Sequence, residues 1–212
     1  MLTLWGRDTS LNVQKPLWAL LEVGVPFKRV DAGGAFGGID TPDYLAMNPN
    51  GRVPTLVDGE TVVWESNAVT RYICAKWGQG TLWSEDPAKR AQADMWMDWQ
   101  QTVLVPTFLP VFAELVRVPT AKRNMDMVAR QSKATGEVLG MLDRWLDGRD
   151  YIGGKTLDMG DIPVGASLYR YFELPIERPK LANVEAYYAR LQERQAYRDG
   201  AMISYEPLRV KE

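Results

Sequence analysis

The order of apolar patterns in the first 77 residues restricts the fold of this chain more than any other sequence feature. Residues 2–5 are typical of a short strand, residues 13–23 of a helix with one apolar face, and residues 27–32 of a second strand. Two strands joined by a helix within about thirty residues form a βαβ unit, whose strands lie parallel. This part of the chain is therefore predicted to form an α/β sheet.

The residues after the βαβ unit are predicted to add antiparallel strands to the sheet. The stretch RVPTLVDGETVVWES contains two β-rich runs separated by Asp58-Gly59, a strong hairpin signal. A short helix or turn is expected before it, over TPDYLAMNP, and a helix after it, over Asn67–Trp77. The glycine-rich GGAFGGID does not fit a nucleotide-binding fingerprint, so we expect a flexible connection there. The predicted sheet mixes parallel and antiparallel strands.

The character of the sequence changes between Gly78 and Asp86. No convincing strand pattern follows, and the chain is predicted to divide into an α/β domain (1–79) and an all-helical domain (87–212). Pro106 and Pro110 are expected to bend the first long helix. The predicted helices span 87–116, 121–146, a segment starting near 159, and 184–193.

Composition removes several classes of function. The chain has 212 residues and no histidine, which excludes a Ser-His-Asp triad and every histidine-ligated metal site. A net charge of −2 disfavours both nucleic acid and anionic membrane surfaces as partners. Cys74 cannot form an internal disulfide, and its apolar neighbours at helical spacing favour a buried position over a reactive thiol. With no pattern for a signal peptide or membrane span, the protein is expected in the cytoplasm.

Three stretches of the first domain combine polar groups with helix or strand ends. In RDTSLNVQK, Asn12 is a good candidate N-cap, while Ser10 and Asn12 could instead donate to an anion such as a thiolate. In GRVPT, Pro54 suits an edge strand, and a cis Val53-Pro54 bond would expose the Val53 backbone to a peptide-like ligand. Both interpretations remain open at each stretch.

The third stretch is WESNAV, at the junction between a strand and a helix. Ser66 is a plausible N-cap, and Glu65 is a favourable charge near the helix start. Alternatively, Glu65 pairs with the ammonium group of a bound amino acid, and Ser66 with the helix N-terminus binds its carboxylate.

In the second domain, TLDMGDIPVG is predicted to start a helix with an acidic capping box. Asp158 caps the helix and Asp161, three residues later, reaches back to it. Acidic helix starts are common because they complement the helix dipole, so we interpret Asp161 as structural and not catalytic.

These stretches together resemble the glutathione transferase family over essentially the whole chain. The resemblance rests on NPNGRVPTLVDG, ESNAVTRYI and LDMGDI, and the wording of SLNVQK and DAGGAFGG is similar to bacterial theta-like and nu-like members. It implies a thioredoxin-like first domain, an all-helical second domain, and glutathione as co-substrate with no further cofactor and no metal. It also implies a homodimer, for which Trp96 and Trp99 would supply apolar surface.

The resemblance assigns roles residue by residue. It implies that Val53, before a cis Pro54, holds the cysteinyl backbone of glutathione, and that Glu65 and Ser66 hold its γ-glutamyl end. Arg52 is a weaker candidate for the glycine carboxylate. Ser10 matches the thiolate-stabilising serine of theta-like members, and Asn12 an asparagine used in nu-like ones.

The acceptor site is expected between the domains, with Trp5, Phe108 and Phe112 as candidates, although a core role is as plausible for each. The activity implied is transfer of the glutathione thiolate to a small, mostly apolar electrophile. The alternatives are a glutathione-dependent disulfide reductase or peroxidase, and a transferase-like binding module without catalysis.

Overall fold

A computed structural model of the chain describes residues 1–211. Its first part contains a four-stranded sheet in the order β2-β1-β3-β4, in which β1 and β2 are parallel and the other pairs antiparallel. The predicted mixed sheet is therefore confirmed. The strands are β1 (Thr3–Trp5), β2 (Lys28–Val30), β3 (Thr55–Asp58) and β4 (Thr61–Trp64).

Helices accompany the sheet and make up the rest of the chain. Those of the first part are α1 (Leu11–Val23), α2 (Pro42–Met47) and α3 (Ser66–Trp77). Every longer element after Asp86 is helical: α4 (Pro87–Trp99), α5 (Val105–Arg117), α6 (Met125–Trp145), α7 (Asp161–Glu173), α8 (Ala182–Gln192) and α9 (Gln195–Gly200).

Several predicted boundaries were wrong. α6 begins at Met125 instead of Ala121, because Pro119 and the short 3₁₀ turn Thr120–Lys122 precede it. The six-residue α9 was not predicted, since it is too short to show an apolar period. The glycine-rich loop contains a 3₁₀ turn at Gly34–Phe36 instead of lacking structure, and the Gly33 N–H closes it on the Gly37 carbonyl at 2.7 Å.

The helix containing Pro106 and Pro110 is interrupted just before the first proline. Gln100–Leu104 forms π-helical turns between α4 and α5. Proline has no N–H to donate to the preceding turn, and the wider π turn rearranges the hydrogen bonds at this point.

The two parts of the chain share α1. Its residues 13–20 are all buried, and the ring of Trp18 packs at 4.8 Å from that of Tyr197 on α9. A Cβ atom at Gly200 would lie 2.6 Å from Trp18 Cα, so only glycine permits this approach. The parts are also linked by Asn67 Nδ2, which donates to the Met97 carbonyl at 2.8 Å, and by Arg71, which pairs with Asp94 at 2.5 Å.

The predicted acidic capping box is present before α7. The Asp161 carboxylate accepts from the Asp158 N–H at 2.8 Å and also from the Ile152 N–H and the Tyr187 hydroxyl. The carboxylate of Asp161 is therefore occupied by three hydrogen bonds from neighbouring protein groups. This supports a structural role for Asp161. Cys74 is fully buried as expected, and burial raises the pKa of its thiol.

Trp96 and Trp99 do not supply the outward apolar face expected of them. Trp96 is buried, and its ring lies 4.8 Å from that of Trp99 and 5.5 Å from that of Trp145 on α6. The cluster stabilises the helical part itself. The expectation that Trp96 and Trp99 supply apolar surface for a homodimer was therefore wrong.

Candidate functional site

Ser10 stands at the corner between β1 and α1, and it, not Asn12, is the N-cap of α1. Its backbone is extended, and its carbonyl accepts the N–H groups of Val13 and Gln14 at 2.9 and 3.0 Å. Its hydroxyl makes no capping hydrogen bond. The expectation that Asn12 caps the helix was wrong, because α1 begins one residue before it. The half-buried Ser10 hydroxyl is thus available beside the helix N-terminus.

Asn12 turns instead toward the start of α3. Its Oδ1 accepts a hydrogen bond from the Ser66 hydroxyl at 3.4 Å, which joins two of the stretches identified in the sequence. Ser66 is the first residue of α3, so its predicted role as N-cap was also wrong.

Glu65 precedes α3 in a strained conformation. Its φ of +68° makes it the one non-glycine residue with positive φ in residues 1–211. For a glutamate this conformation costs about 1–3 kcal/mol, and such strain is concentrated at functional sites. The exposed carboxylate accepts from Asn50 Nδ2 at 3.3 Å.

The Val53-Pro54 peptide bond is cis, as the family resemblance implied. Within the described residues, neither the N–H nor the carbonyl of Val53 has a hydrogen-bonding partner, which leaves a backbone edge open to an extended ligand. Gly6 brings the first stretch against this edge, since a Cβ atom there would lie 3.1 Å from Val53 Cβ and 2.5 Å from a Val13 methyl.

Tyr44 and Asn48 hold this turn in place, and sequence reasoning missed both. The Tyr44 hydroxyl and Asn48 Nδ2 each donate to the Arg52 carbonyl, at 2.7 and 2.8 Å. Both also bond the Thr55 hydroxyl, at 2.9 and 3.0 Å. The Arg52 side chain itself is exposed.

Lys15 is a further residue that sequence reasoning missed. It is 0% exposed, and its Nζ donates to Ser66 Oγ at 3.3 Å, Asn67 Oδ1 at 3.2 Å and Gln101 Oε1 at 2.9 Å. Burial lowers its pKa from 10.5 to about 7, although the Glu65 carboxylate acts in the opposite direction. The only signal in the sequence was its helical spacing from Asn12, one turn away on the same face.

The acceptor candidates occupy different environments. Phe108 and Phe112 are buried in the helical part, and Phe112 packs at 5.2 Å from the ring of Tyr205. These two rings are core residues in this structure and do not present an open surface. Trp5 is only half-buried and packs edge-on to Tyr44 at 6.1 Å.

The stretches around Ser10, Val53 and Ser66 are therefore adjacent, at the end of the sheet where β1 ends, β3 begins and β4 ends. A sheet with this strand order, a cis-proline edge and an all-helical partner defines a protein with a thioredoxin-like N-terminal domain and an α-helical second part. In residues 1–211 no helix is both long and apolar enough to cross a membrane.

Comparison with known proteins identifies the family. Residues 1–75 match the model of the glutathione S-transferase N-terminal domain. Glutathione S-transferase GstB of Escherichia coli K12 is 38% identical over 205 residues, which are 96% of this chain and 99% of that protein. Glutathione S-transferase 3 of Zea mays is 30% identical over 76% of this chain and 73% of its own length. The chain belongs to the glutathione S-transferase family.

Solved structures agree with this assignment. The theta class glutathione S-transferase of Xanthomonas axonopodis pv. citri, solved with glutathione bound, is 46% identical, with a TM-score of 0.92. The match covers 96% of this chain and 98% of that one. Glutathione transferase BmGSTD1 of Bombyx mori, at 20% identity and a TM-score of 0.86, shares the fold.

Lys15 gives a pH test of this site. We expect wild-type stability, relative to Lys15→Met, to rise from about pH 7 to about pH 10, by at most about 1.4 kcal/mol per pH unit. The sign follows because the unfolded lysine keeps its proton over this range while the folded one, with its lowered pKa, releases it. Urea unfolding at several pH values measures the difference.

Lys89→Met, at an exposed position of α4, controls for the loss of a lysine charge as such. The free energies of unfolding of the wild type and Lys15→Met could instead differ by a constant amount from pH 7 to pH 10. That result would mean that Lys15 remains protonated in the folded protein.

Proposed function

We propose that this transferase binds glutathione along the Val53 edge and activates its thiol with the Ser10 hydroxyl, for attack on a small electrophile. The observation that carries the proposal is the position of Ser66 Oγ, within hydrogen-bonding distance of both Asn12 and Lys15. It joins the start of α1, which carries Ser10, to the start of α3, which carries Glu65.

β3 lies between β1 and β4, so Pro54 does not open an edge strand as its sequence suggested. The open Val53 backbone, just before β3, suits the cysteinyl residue of glutathione, which can pair with it as an extended peptide. The exposed Glu65 carboxylate can pair with the γ-glutamyl ammonium. Ser66 and the N-terminus of α3 suit the γ-glutamyl carboxylate, with the Lys15 amine behind them. Arg52, exposed beside the turn, is assigned to the glycine carboxylate.

Ser10 is assigned to the sulfur because its hydroxyl is not used in capping and lies at the positive end of α1. A hydrogen bond donated to a thiolate favours the charged form and lowers the thiol pKa. A free thiol with a pKa near 8.5 is only about 3% ionised at pH 7, so a lower pKa increases the reactive fraction. Asn12 is assigned to orienting Ser66, since its side chain already bonds there.

Substitution of Glu65 tests the binding site. Glu65→Gln keeps the size of the side chain but removes the charge, and we expect it to weaken glutathione binding by about 1.5–3 kcal/mol, the scale of a charge-assisted hydrogen bond. Isothermal titration calorimetry gives the affinity. Glu60→Gln, at an exposed glutamate at the opposite end of β4, is the matched control. Equal affinity in the wild type and Glu65→Gln would remove this residue from the site.

We also propose that the protein acts as a cytoplasmic homodimer. The support is exposed apolar surface, with Val62 on β4 40% exposed and Met95 on α4 52% exposed. Light scattering at micromolar concentration should give twice the monomer mass of 23.9 kDa, and Met95→Lys should shift the protein toward the monomer. A monomeric wild type would contradict this proposal.

A further inference from the structure

Three arginines from separate elements lie within electrostatic reach of one another, where Arg170 of the second part bonds Thr9 of the first. Arg7 lies in the corner after β1, Arg117 ends α5, and Arg170 lies in α7. The guanidinium carbons of Arg170 and Arg117 lie 4.7 and 5.8 Å from the ring centre of Phe112. We call these three residues the arginine cluster.

The cluster has no carboxylate partner. In residues 1–211 none of the three takes part in an ion pair, whereas the nearby Asp8 pairs with Arg29 at 3.3 Å. Glu114, on the last turns of α5, accepts the Asn124 N–H instead. Arg170 is buried and Arg7 half-buried, whereas Arg117 is exposed. Buried arginines in proteins are ordinarily paired, so the unpaired Arg170 is unusual, and Arg117 is the member of the cluster that solvent reaches.

Arg170 is the most buried member, at 3% exposed. One of its terminal nitrogens donates to the Thr9 carbonyl at 2.7 Å, while its Nε is buried with no partner. Arg7 Nε is likewise buried and unpartnered. Both Nε atoms are closed to solvent, and that of Arg7 faces the glycine-rich loop, where a Cβ atom at Gly34 would lie 2.9 Å from it. An anion therefore meets the cluster at the terminal nitrogens, beginning with those of the exposed Arg117.

The charges also act on one another. Burial and then repulsion from Arg117 lower the pKa of Arg170 to about 10 and lower that of Arg7. Repulsion of this kind is relieved when an anion binds among the three groups. Because Arg170 bonds Thr9, the residue before Ser10, the cluster lies beside the proposed thiolate.

We propose that the electrophile accepted by this transferase carries a carboxylate, which the arginine cluster binds beside Ser10. This inference rests on the proposed function and names the substrate class of its acceptor site. The carboxylate fixes the electrophile while the remaining, apolar part lies toward the sulfur. In the transfer, the glutathione thiolate forms a C–S bond to the electrophilic carbon, and the leaving group departs with the electron pair of the bond that breaks.

Two matched electrophiles test the inference. 4-Chloro-3-nitrobenzoate and 4-chloro-3-nitrobenzamide react at the same carbon with loss of chloride, and differ only in the charged group. We expect the wild type to have a higher kcat/KM for the benzoate, with each value divided by the uncatalysed rate. Arg117→Gln should reduce this preference by about tenfold to a hundredfold. Arg130→Gln, an exposed arginine on α6, should leave the preference unchanged.

The possible failures are distinguishable. If the wild type conjugates the benzamide but shows no preference for the benzoate, or if Arg117→Gln keeps the preference, the inference is overturned and the proposed function stands. If Arg117→Gln raises the KM for glutathione and leaves the preference intact, the cluster serves glutathione, which also overturns it. If the wild type conjugates neither compound, the proposed function fails. In that case calorimetry of benzoate binding still tests the inference about the cluster. Equal affinity for the benzoate in the wild type and Arg117→Gln overturns the inference as well.

Discussion

The burial of α1 on every side is the constraint on which the rest of the structure depends. α3 covers it from the first part of the chain, and α7 and α9 cover it from the second. Trp18 fits between Gly165 and Gly200, where a Cβ atom would approach its atoms to 2.8 and 2.6 Å. These close contacts fix the position of the helix, so its N-terminus, with Ser10 beside it, is held in one place relative to Val53 at the start of β3.

Two basic side chains are buried near the N-terminus of α1. Lys15 on α1 and Arg170 on α7 are each almost fully buried, and each bonds a group close to the proposed glutathione site. Burying a cation without a carboxylate partner lowers stability, so a purely structural core would gain from apolar residues at these positions. Basic groups buried at such a cost, one of them (Lys15) interacting with the strained Glu65, are typical of a site arranged for an anionic ligand.

Local patterns in the sequence were sufficient for most of the fold. The hairpin at Asp58-Gly59, the mixed sheet and the acidic box at Asp158 each depend on residues that are close in the chain, and each was predicted. The N-cap of α1 was misassigned because Ser10 and Asn12 have similar capping preferences, and only the backbone distinguishes them.

Long-range contacts were beyond sequence reasoning. Arg170 and Thr9 are 161 residues apart, and Lys15 and Gln101 are 86 apart, so no local pattern connects them. Trp96 was misread for the same reason, since its partner Trp145 comes from another helix. The residues that hold the site in place are therefore the ones that only the folded structure brings together.

The pKa of the glutathione thiol bound to the protein is the most direct test of the central claim, that Ser10 stabilises the thiolate. Titration of the thiolate absorbance compares the wild type with Ser10→Ala and Asn12→Ala. The wild type should hold this pKa below the value of about 8.5 for a free thiol. Ser10→Ala should raise the thiol pKa by about one to two pH units, as expected for the loss of one charge-assisted hydrogen bond. Asn12→Ala should raise it by much less. A larger rise for Asn12→Ala, or no rise for either variant, would contradict the claim.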